Sequence, residues 1–102
     1  MNYTEKEAAR WEYLQQLQRE GKIKRPLRQV KYTLIPLQIE HVDKKFITVE
    51  KECVYIADFA YRDANGKFHV EDIKDYEGEA YEVFEIKRKL LRWIHKIVIE
   101  QV

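Results

Sequence analysis

Cys53-Val54-Tyr55-Ile56-Ala57-Asp58-Phe59-Ala60-Tyr61-Arg62, then Asp63-Ala64-Asn65-Gly66-Lys67, then Phe68-His69-Val70-Glu71-Asp72-Ile73-Lys74 is the stretch on which the reading of the fold turns. The first and third segments are rich in the β-branched and aromatic side chains that suit a pleated, half-buried surface. Between them, Asn65-Gly66 supplies the left-handed backbone that a tight turn demands. The stretch therefore predicts a β-hairpin. Side chains alternate along a strand, so Val70, Asp72 and Lys74 should share one face and His69, Glu71 and Ile73 the other. By the same rule, Ile56, Asp58 and Ala60 should lie opposite Tyr55, Ala57, Phe59 and Tyr61.

Upstream, Thr4-Glu5-Lys6-Glu7 reads as a capping box, with Thr4 capping a helix and Glu7 reaching back to its amide. The helix is expected from about Glu5 to Glu20, ending at Gly21, with Trp11, Leu14 and Leu17 on one face. Glu7 falls at the inner edge of that stripe. Val30, Tyr32 and Leu34 alternate with Lys31 and Thr33, which predicts a strand between Ile23 and Pro36, with Pro26 before it and Pro36 closing it. Gln38 to Lys45 is expected to connect strands, and Lys45 to Glu52 to form an edge strand. Downstream, Gly78 breaks the chain. Ala80, Val83, Phe84, Leu90, Leu91 and Ile94 recur at three- and four-residue steps, predicting a helix from about Glu79 to Ile94. Ile97-Val98-Ile99 is a short β-rich run. Helix, three or four strands, helix and strand make an α/β fold, with helices packed on a small mixed sheet.

The chain of 102 residues allows one domain, 1–102, with a modest core. An aromatic content of 13% argues against disorder, and three Gly with two Pro exclude low-complexity and collagen-like readings. No apolar run is long enough to span a membrane, and the polar start lacks a signal-peptide core. One cysteine, Cys53, suits a reducing cytosol and excludes a disulfide scaffold or a four-cysteine zinc site. The net charge of +1 hides segregation. Arg19, Lys22, Lys24, Arg25, Arg28 and Lys31 form a basic block against the single acid Glu20. Glu71 to Glu85 is acidic apart from Lys74, and Lys87 to Lys96 is basic without an acid. Such blocks are solvated faces, or a basic rim around an acidic centre of the kind a phosphate backbone meets.

Asp58 is an acid in the middle of an apolar strand and needs a partner, because an unpaired buried charge is costly. Lys74 on the returning strand can supply a purely structural ion pair. Asp72, on the same face as Lys74, permits a different reading. Mg²⁺ prefers carboxylates, water and phosphate oxygens, and a nearby lysine can orient an attacking water. Lys87 falls on the apolar stripe of the second helix, either snorkelling from its edge or aimed at the same pocket. His41, His69 and His95 are too scattered for a metal-binding spacing. The aromatics Tyr55, Phe59 and Tyr61 read as core.

Asp58 followed by Asp72-Ile73-Lys74 across a hairpin, with Glu7 on the leading helix, resembles the PD-(D/E)XK (restriction-endonuclease-like) nuclease superfamily. Over nearly its whole length the chain also resembles a family of small bacteriophage proteins assigned to that superfamily. The matching stretches are Thr4-Glu5-Lys6-Glu7-Ala8, Tyr55-Ile56-Ala57-Asp58-Phe59, Val70-Glu71-Asp72-Ile73-Lys74 and Ile86-Lys87-Arg88-Lys89-Leu90. The resemblance implies a restriction-endonuclease-like core: a small mixed sheet with a catalytic hairpin, flanked by an N-terminal and a C-terminal helix. It implies that Asp58 and Asp72 hold Mg²⁺ or Mn²⁺, that Lys74 positions the nucleophilic water, and that Glu7 binds the metal or a metal-bound water. Lys87 would touch the scissile phosphate or support the site. Ala57 stands where the superfamily name has Pro, and Asp75 where the phage family usually has Gly. Glu71 competes with Asp72 for the acidic role, but only Asp72 shares a strand face with Lys74.

The expected function is a metal-dependent endonuclease of phage type. It would act on DNA, with branched or recombination intermediates as candidate substrates, in the cytoplasm of a bacterial host and as a homodimer. The alternative is a catalytically inactive module of the same fold that binds DNA or a host protein, as a phage accessory or inhibitor protein.

Overall fold

The computed structural model describes residues 4–73 and 76–102. It is a mixed α/β fold with two helices, α1 (Glu5–Arg19) and α2 (Glu79–His95). Six strands accompany them: β1 (Ile23–Ile35), β2 (Gln38–Val42), β3 (Lys45–Glu50), β4 (Cys53–Asp63), β5 (Phe68–Asp72) and β6 (Ile99–Gln101). Four strands form one sheet in the order β1-β4-β5-β6, and β2 and β3 form a separate two-stranded ribbon. The first two pairings of the main sheet are antiparallel, whereas β5 and β6 run parallel, joined through α2. Parallel neighbours require such a crossover, and a helix is its usual form.

Local chemistry explains the elements. Thr4 caps α1 by accepting a hydrogen bond from the Glu7 amide at 3.1 Å, which satisfies one of the unpaired first-turn donors. Gly21, at φ +75°, ends that turn where a side chain would be strained. The predicted hairpin forms between β4 and β5. Its turn is closed by Asp63, whose Oδ1 accepts from the amides of Asn65 and Lys67.

The core has two parts, one on each face of the sheet. On one side Leu14 of α1 packs with Ile23, Phe59 and Tyr61, and Trp11 stacks on Phe59 at 6.0 Å. On the other, Phe84 and Leu91 of α2 pack with Leu34, Tyr55, Ala57, Ala60, Val70 and Ile99.

The structure corrects four sequence expectations. Pro26 lies inside β1, not before it, at a register shift between Lys24 and Leu27 where Arg25 has φ +53°. A proline is tolerated there because β1 is an edge strand and the bulge removes the demand for its amide. Gln38–Val42 is a strand, not a connector. Its turn to β3 uses Asp43 and Lys44, both at positive φ, and without glycine or asparagine Asp43 alone gives that turn only a weak sequence signal. β6 begins at Ile99, so Ile97-Val98 precedes the strand; Lys96, left-handed at φ +59°, ends α2 and turns the chain.

The fourth correction bears on the site. Tyr55, Ala57, Phe59 and Tyr61 do not share a face: Tyr55 and Ala57 pack on the α2 side, Phe59 and Tyr61 on the α1 side. The alternation of β4 therefore changes phase around Asp58. In the β1 register Gln29 falls opposite Asp58, and its φ of +53° marks the same irregularity in the neighbouring strand.

At the far end of the hairpin His69 bonds Asp63 at 2.9 Å and Glu100 at 2.7 Å. The Asp63 contact, with further help from Glu100, holds the His69 pKa above its usual value and the Asp63 pKa below its own. A raised imidazole pKa contributes stability that is fully present below the unfolded-state value and lost as pH rises through the folded one. His69→Gln is therefore expected to lower the melting temperature more at about pH 6 than at about pH 9. Thermal unfolding of both proteins at the two pH values tests this, and an equal loss at both would contradict it.

Candidate functional site

Two acids end β5, and the sheet sends them to opposite faces. Glu71 turns toward α1, where its carboxylate receives both Nε and Nη2 of Arg10, at 2.8 and 2.6 Å, and the Tyr61 hydroxyl at 2.6 Å. Glu71 is 1% exposed, so these three donors are what permits its burial. Three of the roughly four acceptor directions of the carboxylate are used, which commits Glu71 to this ion pair. Arg10→Ala would leave a buried carboxylate short of its counterion. The expected cost is about 3 kcal/mol of stability in urea unfolding, and a loss below about 1 kcal/mol would show the pair to be incidental.

Asp72 turns the other way and is equally buried, at 1%. Beside it stand Tyr76, whose hydroxyl donates to Asp72 Oδ2 at 3.3 Å, and Tyr55 from β4. The buried Tyr55 hydroxyl has no hydrogen-bond partner at ordinary geometry among the described residues, although it lies within the field of Asp72. Asp58, half-buried at the phase change of β4, accepts the Ile73 amide on Oδ2 at 2.7 Å and faces Asp72. Burial, then the proximity of Asp58, pushes the Asp72 pKa up to about 8, against smaller opposing contributions from the two tyrosines. Tyr76 is pushed up too, by burial and then by Asp72, with Asp58 and Glu7 adding to it.

Glu7 enters from the first turn of α1. Its pKa is raised by burial and then by the charge of Asp58, and lowered by a hydrogen bond with Thr4. The structure thus brings Glu7, Asp58 and Asp72, from positions far apart in the chain, into one electrostatic neighbourhood. Among the described residues, no three His, Cys, Asp or Glu side chains gather as a set able to hold a metal ion. The acceptor set is therefore the Asp58–Asp72 pair, with Glu7 close enough to be felt and still engaged with its own cap. Lys74 and Asp75 lie outside the described residues, and with them the expected role of Lys74.

Lys87 lines a cavity of about 300 Å³ with Tyr55, Ile56, Tyr76, Ala80, Val83 and Phe84. Two of those residues, Tyr55 and Tyr76, flank Asp72, so the cavity opens beside the carboxylate pair. The sequence reading missed both tyrosines. Tyr55 looks like any strand aromatic, but Tyr76, four residues beyond Asp72 within an acidic stretch, was a readable signal.

Two adjacent carboxylates in a poorly hydrated place can be neutralised by a shared proton or by a cation. Hard divalent cations take oxygen ligands, often one or two carboxylates completed by water and phosphate, and this donor set fits that chemistry. The raised Asp72 pKa carries a sign. The native state keeps a proton that the unfolded chain releases, so this contribution is full below about pH 4. It is lost progressively as pH rises toward 8. Asp72→Asn, which has no proton to lose, should gain melting temperature over the wild type as pH goes from about 5 to 8. Each kcal/mol is worth roughly 4–8 °C in a domain near this size. A gap that does not widen across that range would refute the shared-proton picture.

Fold and site together define a small mixed α/β protein whose sheet carries a carboxylate pair beside a lysine-lined cavity. Residues 3–99 match the model of the family described as "Protein of unknown function (DUF1064)", and the chain belongs to that family. No curated protein and no solved structure matches it. No helix among the described residues is long and apolar enough to cross a membrane.

Proposed function

We propose that this protein is a metal-dependent endonuclease that hydrolyses phosphodiester bonds in DNA, built on a restriction-endonuclease-like core. The observation that carries the reading is the Asp58–Asp72 pair. The two carboxyl groups are held together where β4 changes phase, with Asp72 buried and its pKa raised to about 8. Strongly shifted acids cluster at functional sites. The element order, with a helix before the sheet, a hairpin carrying both acids and a crossover helix to a parallel strand, supports the same core.

Asp58 and Asp72 would hold Mg²⁺ or Mn²⁺, which supplies positive charge against the phosphate oxygens and acidifies water. The chain's own residues do the rest. Tyr55 and Tyr76 wall the pair on the α2 side and limit water. Lys87, in the lining of the cavity, would offer an ammonium to a phosphate. Glu7 adds negative charge on the α1 side, which favours a cation over a free anion. Lys74 takes the role of orienting the attacking water. Two protomers, acting as a homodimer, would address two strands.

A second reading is an inactive module of the same fold that binds DNA or a host protein. The specific observation in its favour is that no three-ligand metal group forms among the described residues.

Incubation with supercoiled, linear and branched DNA plus Mg²⁺ or Mn²⁺ separates the two. The nuclease reading expects cleavage that EDTA and Asp72→Asn each reduce by about 100-fold or more, on the scale of a lost electrostatic stabiliser. Glu71→Gln, away from the cavity, should lower stability while leaving the metal requirement intact. Metal-independent binding without cutting would favour the module.

A further inference from the structure

The outer face of α2 carries a second concentration of chemistry, turned away from the carboxylate pair. Arg88, Lys89, Arg92, Trp93, Lys96 and Val98 line an open cavity of about 520 Å³, and among the described residues its lining contains no acid. Trp93 is 75% exposed. That exposure is well above the average for Trp, which is mostly buried in folded proteins. Lys96 Nζ lies 4.9 Å from the centre of its ring and donates to the Trp93 carbonyl at 2.8 Å, so a cation sits against one face of the indole. Arg88 is bound to Glu85 at 2.8 Å, and Lys89 and Arg92 flank the ring as further cations. The surface is fixed in place, because His95 Nε2 bonds the Thr33 carbonyl at 2.7 Å and pins the end of α2 to β1.

We infer that this surface binds an unpaired nucleic-acid strand, with a base stacked on the free face of Trp93 and flanking phosphates on Lys89, Arg92 and Lys96. Three observations select that ligand. Apart from Glu85, which is bound to Arg88, the charges of the patch are positive, which favours a polyanion. Its single large aromatic is presented flat and exposed, which an acidic peptide does not need but a base does. In a paired duplex the faces of the bases are covered by their neighbours, so stacking selects a flap, loop or single-stranded end. The inference deepens the nuclease reading, since it names DNA with an unpaired strand as the substrate class, and it rests on that reading for the link to cleavage alone.

The test uses a fluorescently labelled twelve-nucleotide oligo-dT and a duplex of the same length, in EDTA, so that metal plays no part. The single strand should bind more tightly than the duplex. Trp93→Ala should weaken single-strand binding by about tenfold, within the range for one stacked base, and Trp93→Phe should restore most of it. Lys89→Glu with Arg92→Glu removes two phosphate contacts and should weaken binding and flatten its salt dependence by about 1.4 units of slope. Equal affinity of Trp93→Ala and wild type, or duplex bound as well as single strand, would overturn the proposal. Failure of the nuclease reading looks different: no metal-dependent cutting by the wild type, yet Trp93-dependent binding of the single strand. Cutting of branched DNA by Trp93→Ala at unchanged kcat/KM would leave the nuclease and remove this surface from it.

Discussion

The burial of Asp72 beside a second acid, Asp58, is the constraint around which this end of the molecule is organised. Water would normally screen two carboxylates at this range, but Asp72 is buried and Asp58 half-buried, so the screening is weak. The fold supplies what water does not. The Ile73 amide satisfies Asp58, the Tyr76 hydroxyl satisfies Asp72, and a proton or a cation must supply the remainder. Because the two acids come from different strands, their spacing is set by the β4–β5 register and by the phase change at Asp58. The backbone of Asp72 is fixed on its other side as well: it pairs with Gln101 of β6, and its carbonyl accepts the Val102 amide at 3.1 Å.

Glu71 and Asp72 show how neighbouring residues of the same charge acquire different destinies. One residue of offset along a strand sends them to opposite faces. Glu71 meets Arg10 and Tyr61 and is held in a buried ion pair by three donors. Asp72 meets a second acid and two tyrosines, and its pKa moves far from the usual carboxylate range. A buried acid whose hydrogen bonds are complete is an element of architecture. One whose neighbours resist its charge is available for chemistry.

Much of this was legible before any coordinates. The hairpin was readable because Asn65-Gly66 has a strong local signal, and the two helices because their apolar residues repeat with a helical period. The assignment of Asp72 and Glu71 to opposite faces follows from simple alternation, and the geometry places them so. Alternation failed in β4 because a phase change depends on backbone conformation at Asp58 and Gln29, which ordinary residue types do not announce. The β2–β3 ribbon was half-missed for a similar reason, since its turn uses Asp43 and Lys44 in left-handed conformations. The pairing of Arg10 with Glu71 spans 61 positions, and no local pattern encodes it.

That wide spacing has a consequence for how the molecule comes into being. The polar cluster draws on α1, on the hairpin and on α2, and its floor is closed by a strand that pairs at Ile99–Gln101. Contacts between such distant segments are slow to assemble, because each must close a long loop before it gains anything. During synthesis the acids of β4 and β5 emerge before the helix and strand that enclose them. A ribosome-bound chain therefore carries solvated, ordinarily acidic carboxylates, and the shifted proton affinity arises only with completion of the sheet.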